Sequence, residues 1–210
     1  MDFTSVLNPL VNLADKLGLL QAVRGKLTRQ PHPAAQELGT VLEEIAKVYE
    51  AILSELSKYL SIAFYQGQLP EQRVLQRNEL VELENSTRVV IRLGDARGSC
   101  EKIMNIYDAF LHPWFSAELS PAETDMMHSL FRDLDKFDGI MLDAIQGFAD
   151  WLSREATETL NLIDDDKVEE ARQRILRTRK NVAPQRQEML SAIRMLYDLQ
   201  AEFIAVSGVV

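Results

Sequence analysis

Few residues in this chain have types and spacings that could support metal or acid–base chemistry. Of its 3 histidines, His128 alone stands in a metal-ligand spacing, as Asp125-x-x-His128. A carboxylate-bridged metal centre in a helical bundle needs two Glu-x-x-His pairs, together with inward-facing Glu residues from two further helices. The sequence offers no second pair of this kind, so we predict neither a metal site nor a cofactor.

Two other features could indicate catalysis. Cys100, the only cysteine, falls on the apolar side of a predicted helix, which is typical of a core residue and not of a nucleophile. The run Gly-Asp-Ala-Arg-Gly-Ser at 94–99 lacks the lysine and the preceding strand of a phosphate-binding P-loop. These observations favour a protein that is not an enzyme.

The charge pattern suggests a partner surface. A net charge of -9 repels phosphate backbones, so we predict no nucleic-acid binding. Residues 172–186, with Arg186 at their end, nevertheless concentrate basic side chains. They form either a solvated helix face paired with neighbouring acids or a docking strip for an acidic peptide, a phosphoinositide headgroup or another protein. We expect this strip to affect binding and not folding. The candidate residues are Arg174, Arg177, Arg179 and Lys180.

A second candidate partner surface is aromatic. Phe110, Trp114 and Phe115 cluster around Pro113, where a predicted helix over 86–112 ends. Large aromatic side chains are usually buried, so we expect them to close one end of the fold. The alternative is an aromatic anchor for a protein partner.

Two charged residues interrupt apolar stripes. Arg97 lies between Gly94 and Gly98, and Asp138 precedes Gly139. Small residues let helices approach closely, and a buried charge needs a partner, so the three glycines predict a helix crossing with a buried Arg97–Asp138 pair. The alternative is that both side chains reach water.

The elements that must position these side chains are helices. Apolar residues recur three, four or seven positions apart, which is typical of amphipathic helices. We predict an all-α fold over residues 1–210: a single bundle of about five long, mainly antiparallel helices. Ser120, Pro121 and Glu123 form a capping pattern, which begins a predicted helix of roughly 40 residues to Leu162.

Two segments are less regular. Residues 71–84 predict a helix, and the alternative is a short strand within RNELVELE at 77–84. Pro184 should kink or restart the last helix, since proline removes a backbone donor.

The N-terminal segment differs from the rest in charge. Residues 1–29 form a predicted amphipathic helix, and the proline-rich linker 30–34 joins it to the bundle. Its basic residues are Lys16, Arg24, Lys26 and Arg29. We expect the helix to pack its apolar side into the bundle; the alternative is that it detaches and docks on a membrane surface or a partner.

Together these patterns predict a non-catalytic interaction module, a scaffold or signalling domain that binds another protein. A single cysteine fits the reducing cytoplasm, and Asp2 stands where a secretory signal has basic residues. The alternatives are a membrane-acting bundle that uses residues 1–29 and, ranked last, a metal-binding or catalytic bundle. A homo-oligomer is compatible with the same patterns.

Overall fold

The computed structural model describes residues 8, 12, 16, 20, 24–26, 33–62, 70–85, 94–134 and 140–206. This part of the chain is a bundle of seven α-helices and one π-helical turn, without strands, so the predicted all-α class is confirmed. The helices are α1 (Pro33–Ser61), α2 (Pro70–Glu84), α3 (Gly94–Ile106), α4 (His112–Glu118), α5 (Pro121–Arg132), α6 (Ile140–Asp164) and α7 (Val168–Val206), with the π-helix Tyr107–Leu111 between α3 and α4.

Helix α1 lies at the centre of the bundle. It contacts α3, α6 and α7, so its apolar residues are buried on several sides. Its fully buried large side chains include Leu38, Leu42, Tyr49, Ile52, Leu56 and Tyr59. Helix α1 has 29 residues, and this length limits how far its neighbouring helices can pack against it.

The main helix pairs are antiparallel. Gln200 near the end of α7 donates to Glu43 near the start of α1 at 3.0 Å, while Arg179 of α7 bonds the Leu60 carbonyl at the other end of α1. Residues 71–84 lie in α2, so the helix predicted there is confirmed. Helix α2 runs antiparallel to α6, since Arg77 Nε donates to Asp164 at the end of α6 at 2.9 Å. At one end of this pair Ser153 donates to the Glu84 carbonyl at 2.7 Å.

The predicted helix over 120–162 is two helices. Its start is confirmed, because Ser120 and Glu123 form a capping box with Pro121 in the first turn. Helix α5 ends at Arg132, however, and α6 begins at Ile140. Asp133 and Leu134 form a turn directly after α5, and aspartate has a low helix propensity.

Two prolines are accommodated within helical segments. Pro113 was expected to end a helix, but it lies in the first turn of α4, directly after the π-helix, and the chain stays helical to Glu118. Pro184 lies inside α7, which is one helix of 39 residues and is not restarted there. Burial of the apolar side of α7 outweighs the lost backbone hydrogen bond.

The predicted glycine crossing is wrong for the residues that can be examined. Gly94, Arg97 and Gly98 are exposed on α3, and a Cβ added at either glycine would meet no atom within 4 Å. Helix α3 is rotated so that Cys100 and Ile103, and not Arg97, face the core. Asp138 and Gly139 lie outside the described residues.

A different glycine lies at a close helix contact. A Cβ added at Gly39 of α1 would lie 3.2 Å from Cγ1 of Ile204 and 3.7 Å from the Gln200 carbonyl oxygen, both on α7. The absence of a side chain at this position therefore allows α1 and α7 to approach each other.

Candidate functional site: a cationic cleft between α1 and α7

The predicted basic strip on α7 divides into two parts. Arg174 points towards α6, where its Nε and Nη2 atoms lie 3.1 and 2.8 Å from the two carboxylate oxygens of Glu155. It also forms an ion pair with Glu158. Arg174 therefore joins two helices, and the expectation that this position affects only binding does not fit its surroundings.

Arg174 belongs to a larger polar network inside the bundle. The Tyr59 hydroxyl of α1 lies 3.0 Å from the Thr159 hydroxyl of α6, and the Thr178 hydroxyl of α7 donates to Glu155 at 3.3 Å. Burial raises the pKa of Tyr59 to about 12. The network therefore connects α1, α6 and α7. The Tyr59 hydroxyl within it stays protonated at neutral pH.

The other basic residues of the strip face solvent. Arg177, Arg179 and Lys180 are exposed, and Arg177 Nε donates to the Gln173 carbonyl at 3.4 Å. The Arg179 guanidinium donates to the Leu60 carbonyl in the last turn of α1. Carbonyls in the last turn of a helix lack partners within the helix, so Arg179 satisfies one of them.

A cleft of about 440 Å³ lies between the end of α1 and the middle of α7. Its lining residues are Ser57, Leu60, Ser61, Arg179, Ala183, Arg186 and Gln187. Arg179 and Arg186 are two helical turns apart, about 10.5 Å along α7, and the short side chain of Ala183 lies between them. On the opposite wall Ser57 and Ser61 are one turn apart on α1.

The chemistry of this cleft suits an anion. Two guanidinium groups provide fixed positive charge, and the Ser57 hydroxyl and the Gln187 amide can donate hydrogen bonds. None of the described lining residues is acidic. The concentration of basic residues in the sequence had indicated the arginines. Ser57 and Gln187 were missed, because no sequence pattern distinguishes them from other polar residues on helices.

The aromatic cluster is mostly core. Trp114 and Phe115 are 7% and 0% exposed, whereas Phe110 is 53% exposed. Nearby, the Tyr107 ring stacks on Phe131 with ring centroids 4.3 Å apart. The expected burial therefore holds for Trp114 and Phe115, whereas Phe110 is exposed.

His128, from the Asp125-x-x-His128 spacing, contacts an aromatic residue. His128 is exposed, and its Nδ1 atom lies 2.8 Å from the Tyr107 hydroxyl. Among the residues described by the structure, no group of three or more His, Cys, Asp or Glu side chains is placed to hold a metal ion.

A buried charged cluster between α1 and α3 was not predicted. The carboxylate of Glu44, which is 6% exposed, accepts hydrogen bonds from Ser99 at 2.6 Å and from Lys102 at 2.7 Å. Burial alone would raise the pKa of this carboxyl group, but the hydrogen bonds from Lys102, Ser99 and Lys47 outweigh it and lower the pKa to about 2. In the sequence Glu44 looks like any other charge on a solvated helix face.

The described residues of the N-terminal segment contact the bundle. Leu20, an apolar residue of the predicted helix, is 1% exposed. The three basic side chains of the segment that the structure describes pair with acids of the bundle. These pairs are Lys16–Asp133, Arg24–Glu202 and Lys26–Glu123.

Within the described ranges, no helix combines the length and apolar character that crossing a membrane requires. No protein-family model, curated protein or solved structure matches this chain.

Proposed function

We propose that this protein is a non-catalytic interaction module that binds an acidic segment of a protein partner at the cleft between α1 and α7. The observation that supports the proposal is that Arg179 and Arg186 line one cleft, and that no acidic residue is found among its described lining residues. Arginine is enriched at the energetically dominant positions of protein interfaces. Arg177 and Lys180, both exposed on the same helix, add to the local positive charge.

Electrostatics favours such a partner. In a chain with a net charge of -9, a cationic cleft is a local exception that directs an acidic segment to one place. A nucleic acid would bring a long phosphate backbone against the acidic remainder, so we propose no nucleic-acid partner.

The lining residues favour binding over catalysis. They include two serine hydroxyls, but no histidine, cysteine or carboxylate within the described lining could activate one of them as a nucleophile. Cys100, the lone cysteine, is buried, which agrees with a protein that works in the reducing cytoplasm.

A direct binding measurement tests the proposal. Fluorescence anisotropy of a labelled glutamate-rich peptide should show saturable binding that weakens as the salt concentration rises. Replacing both arginines, as Arg179→Gln with Arg186→Gln, should weaken binding by about tenfold or more, because each charge-assisted hydrogen bond contributes about 1.5–3 kcal/mol.

A matched control separates the cleft from general charge. Arg132→Gln with Arg154→Gln alters the net charge equally, at two exposed arginines of α5 and α6 that do not line the cleft. Circular dichroism should show that both double variants remain folded. Equal binding by the two double variants, or no binding of the peptide by the wild-type protein, would overturn the proposal.

A further inference from the structure

We infer that the cleft between α1 and α7 is a phosphate-recognition site, which anchors a phosphorylated side chain of the protein partner. The inference rests on the proposed function and assigns the group that enters the cleft. Its basis is the arrangement of Arg179, Arg186, Ser57 and Gln187 around one space of about 440 Å³.

The two arginines provide the donor groups that phosphate requires. A guanidinium group presents N–H donors in a planar fork that matches two phosphate oxygens, and arginine clusters are a recurring means of recognising phosphorylated side chains. Arg179 and Arg186 enter the cleft from one helix, and Ala183 between them leaves the space free for a ligand.

Two carbonyl groups at the end of α1 accept hydrogen bonds from side chains, which reduces their repulsion of an anion. The last carbonyls of a helix carry partial negative charge and would repel a phosphate group. Here Arg179 donates to the Leu60 carbonyl, and the Ser61 hydroxyl donates to the Lys58 carbonyl at 2.8 Å. The first bond also fixes the Arg179 guanidinium at the cleft, and it uses one of the five N–H donors of that group.

The number of donors favours phosphate over carboxylate. A phosphate monoester carries about -1.5 to -2 charges at neutral pH and has three strong acceptor oxygens, whereas a carboxylate has one charge and two oxygens. The donors of the cleft suit the three oxygens of a phosphate better than the two of a carboxylate. They are two guanidinium groups, the half-buried Ser57 hydroxyl and the Gln187 amide.

A phosphorylated protein fits better than a phosphoinositide in a membrane. A membrane presents anionic lipids over a wide area, which a chain with a net charge of -9 would approach against repulsion. A peptide segment can place its phosphate in the cleft, and it presents no extended anionic surface to repel the acidic remainder of this protein.

Three peptides of one acidic sequence provide the test, with phosphoserine, serine or glutamate at the central position. Anisotropy titrations with the full chain should show the phosphoserine peptide binding about tenfold or more tightly than the other two. In Arg186→Gln this preference should be lost, and in Arg186→Lys it should fall although the charge is kept, because lysine lacks the fork. Arg194→Gln, at an exposed arginine of the same helix outside the cleft, should retain it.

The outcomes distinguish this inference from the proposed function. Equal binding of all three peptides would overturn phosphate recognition and leave the acidic-segment module in place. Absence of binding by all three would overturn both. Tighter binding to vesicles that contain a phosphoinositide than to the phosphoserine peptide would overturn the assignment to a protein partner. Thermal melting should confirm that every variant is folded.

Discussion

Glu44 lies in the contact between α1 and α3 and accepts hydrogen bonds from Ser99, Lys102 and Lys47. Because these donors favour the ionised carboxylate, they hold the pKa of Glu44 at about 2, below its ordinary value of 4.5. A carboxyl group whose pKa is lower in the folded state stabilises that state fully above the unfolded pKa. The contribution is lost as the pH falls from about 4.5 through about 2.

Replacing this carboxylate should change the acid stability. We expect Glu44→Gln to lower the free energy of unfolding at neutral pH by on the order of 2 kcal/mol, since both lysines are partly exposed and solvent screens them. The variant should also lose less stability than the wild type between about pH 4.5 and about pH 2. Urea denaturation at several pH values measures both effects.

Glu43 is the control for this prediction, because it is the adjacent carboxylate and its side chain is 41% exposed. Glu43→Gln should change the free energy of unfolding by less than about 1 kcal/mol. Parallel loss of stability with acid in Glu44→Gln and in the wild type would show that the cluster does not hold a depressed pKa.

At the scale of helices, the glycines of this chain have unequal roles. Gly39 lies where α1 approaches α7, and a Cβ there would come within 3.2 Å of Ile204. Gly98 is exposed within α3 and has open space around it. The same residue type therefore allows a close packing contact in one helix and only weakens helix formation in the other.

Opposite effects should follow from substitution at these two positions. Gly39→Leu should lower the free energy of unfolding by about 1–3 kcal/mol, because the larger side chain forces α1 away from α7. Gly98→Ala should raise it by up to about 1 kcal/mol, because alanine has the higher helix propensity. Thermal and urea denaturation provide the values; a stabilising Gly39→Leu would mean that the helix contact readily relaxes.

At the scale of the whole molecule, a polar network joins the three longest helices. Glu155 of α6 binds Arg174 and Thr178 of α7, and Tyr59 of α1 reaches the same carboxylate at 3.5 Å and Thr159 at 3.0 Å. The side chains of Arg174 and Glu155 are 23% and 15% exposed. Removing one member of such a pair leaves the other charge partly desolvated.

The basic strip should therefore separate into residues that stabilise the bundle and residues that do not. Arg174→Met should lower the free energy of unfolding by about 2–3 kcal/mol, since Glu155 then loses its ionic partner. Arg177→Met, at an exposed arginine three positions further along α7, should cost less than about 1 kcal/mol. Denaturant titration of both variants checks this, and similar small losses in the two would assign Arg174 to the solvated surface.

The sequence by itself determined the secondary structure class and the buried side of several helices. Apolar spacing and terminal caps act between residues within about one turn of each other, so they can be read without the fold. The capping box of Ser120 and Glu123 is such a feature, and so is the burial of the regularly spaced residues Leu38, Leu42 and Ile45 of α1.

The tertiary structure decided which charges are buried and where the cleft lies. Arg97 and Glu44 both occur in helices rich in apolar residues, yet only Glu44 is buried, because Ser99 and Lys102 on another helix complete its hydrogen bonds. Ser57 and Arg186 are far apart in the chain and meet only because α1 and α7 pack antiparallel. Local sequence patterns do not predict such contacts between helices, because the contacts depend on how each helix is rotated and on which helix lies beside it.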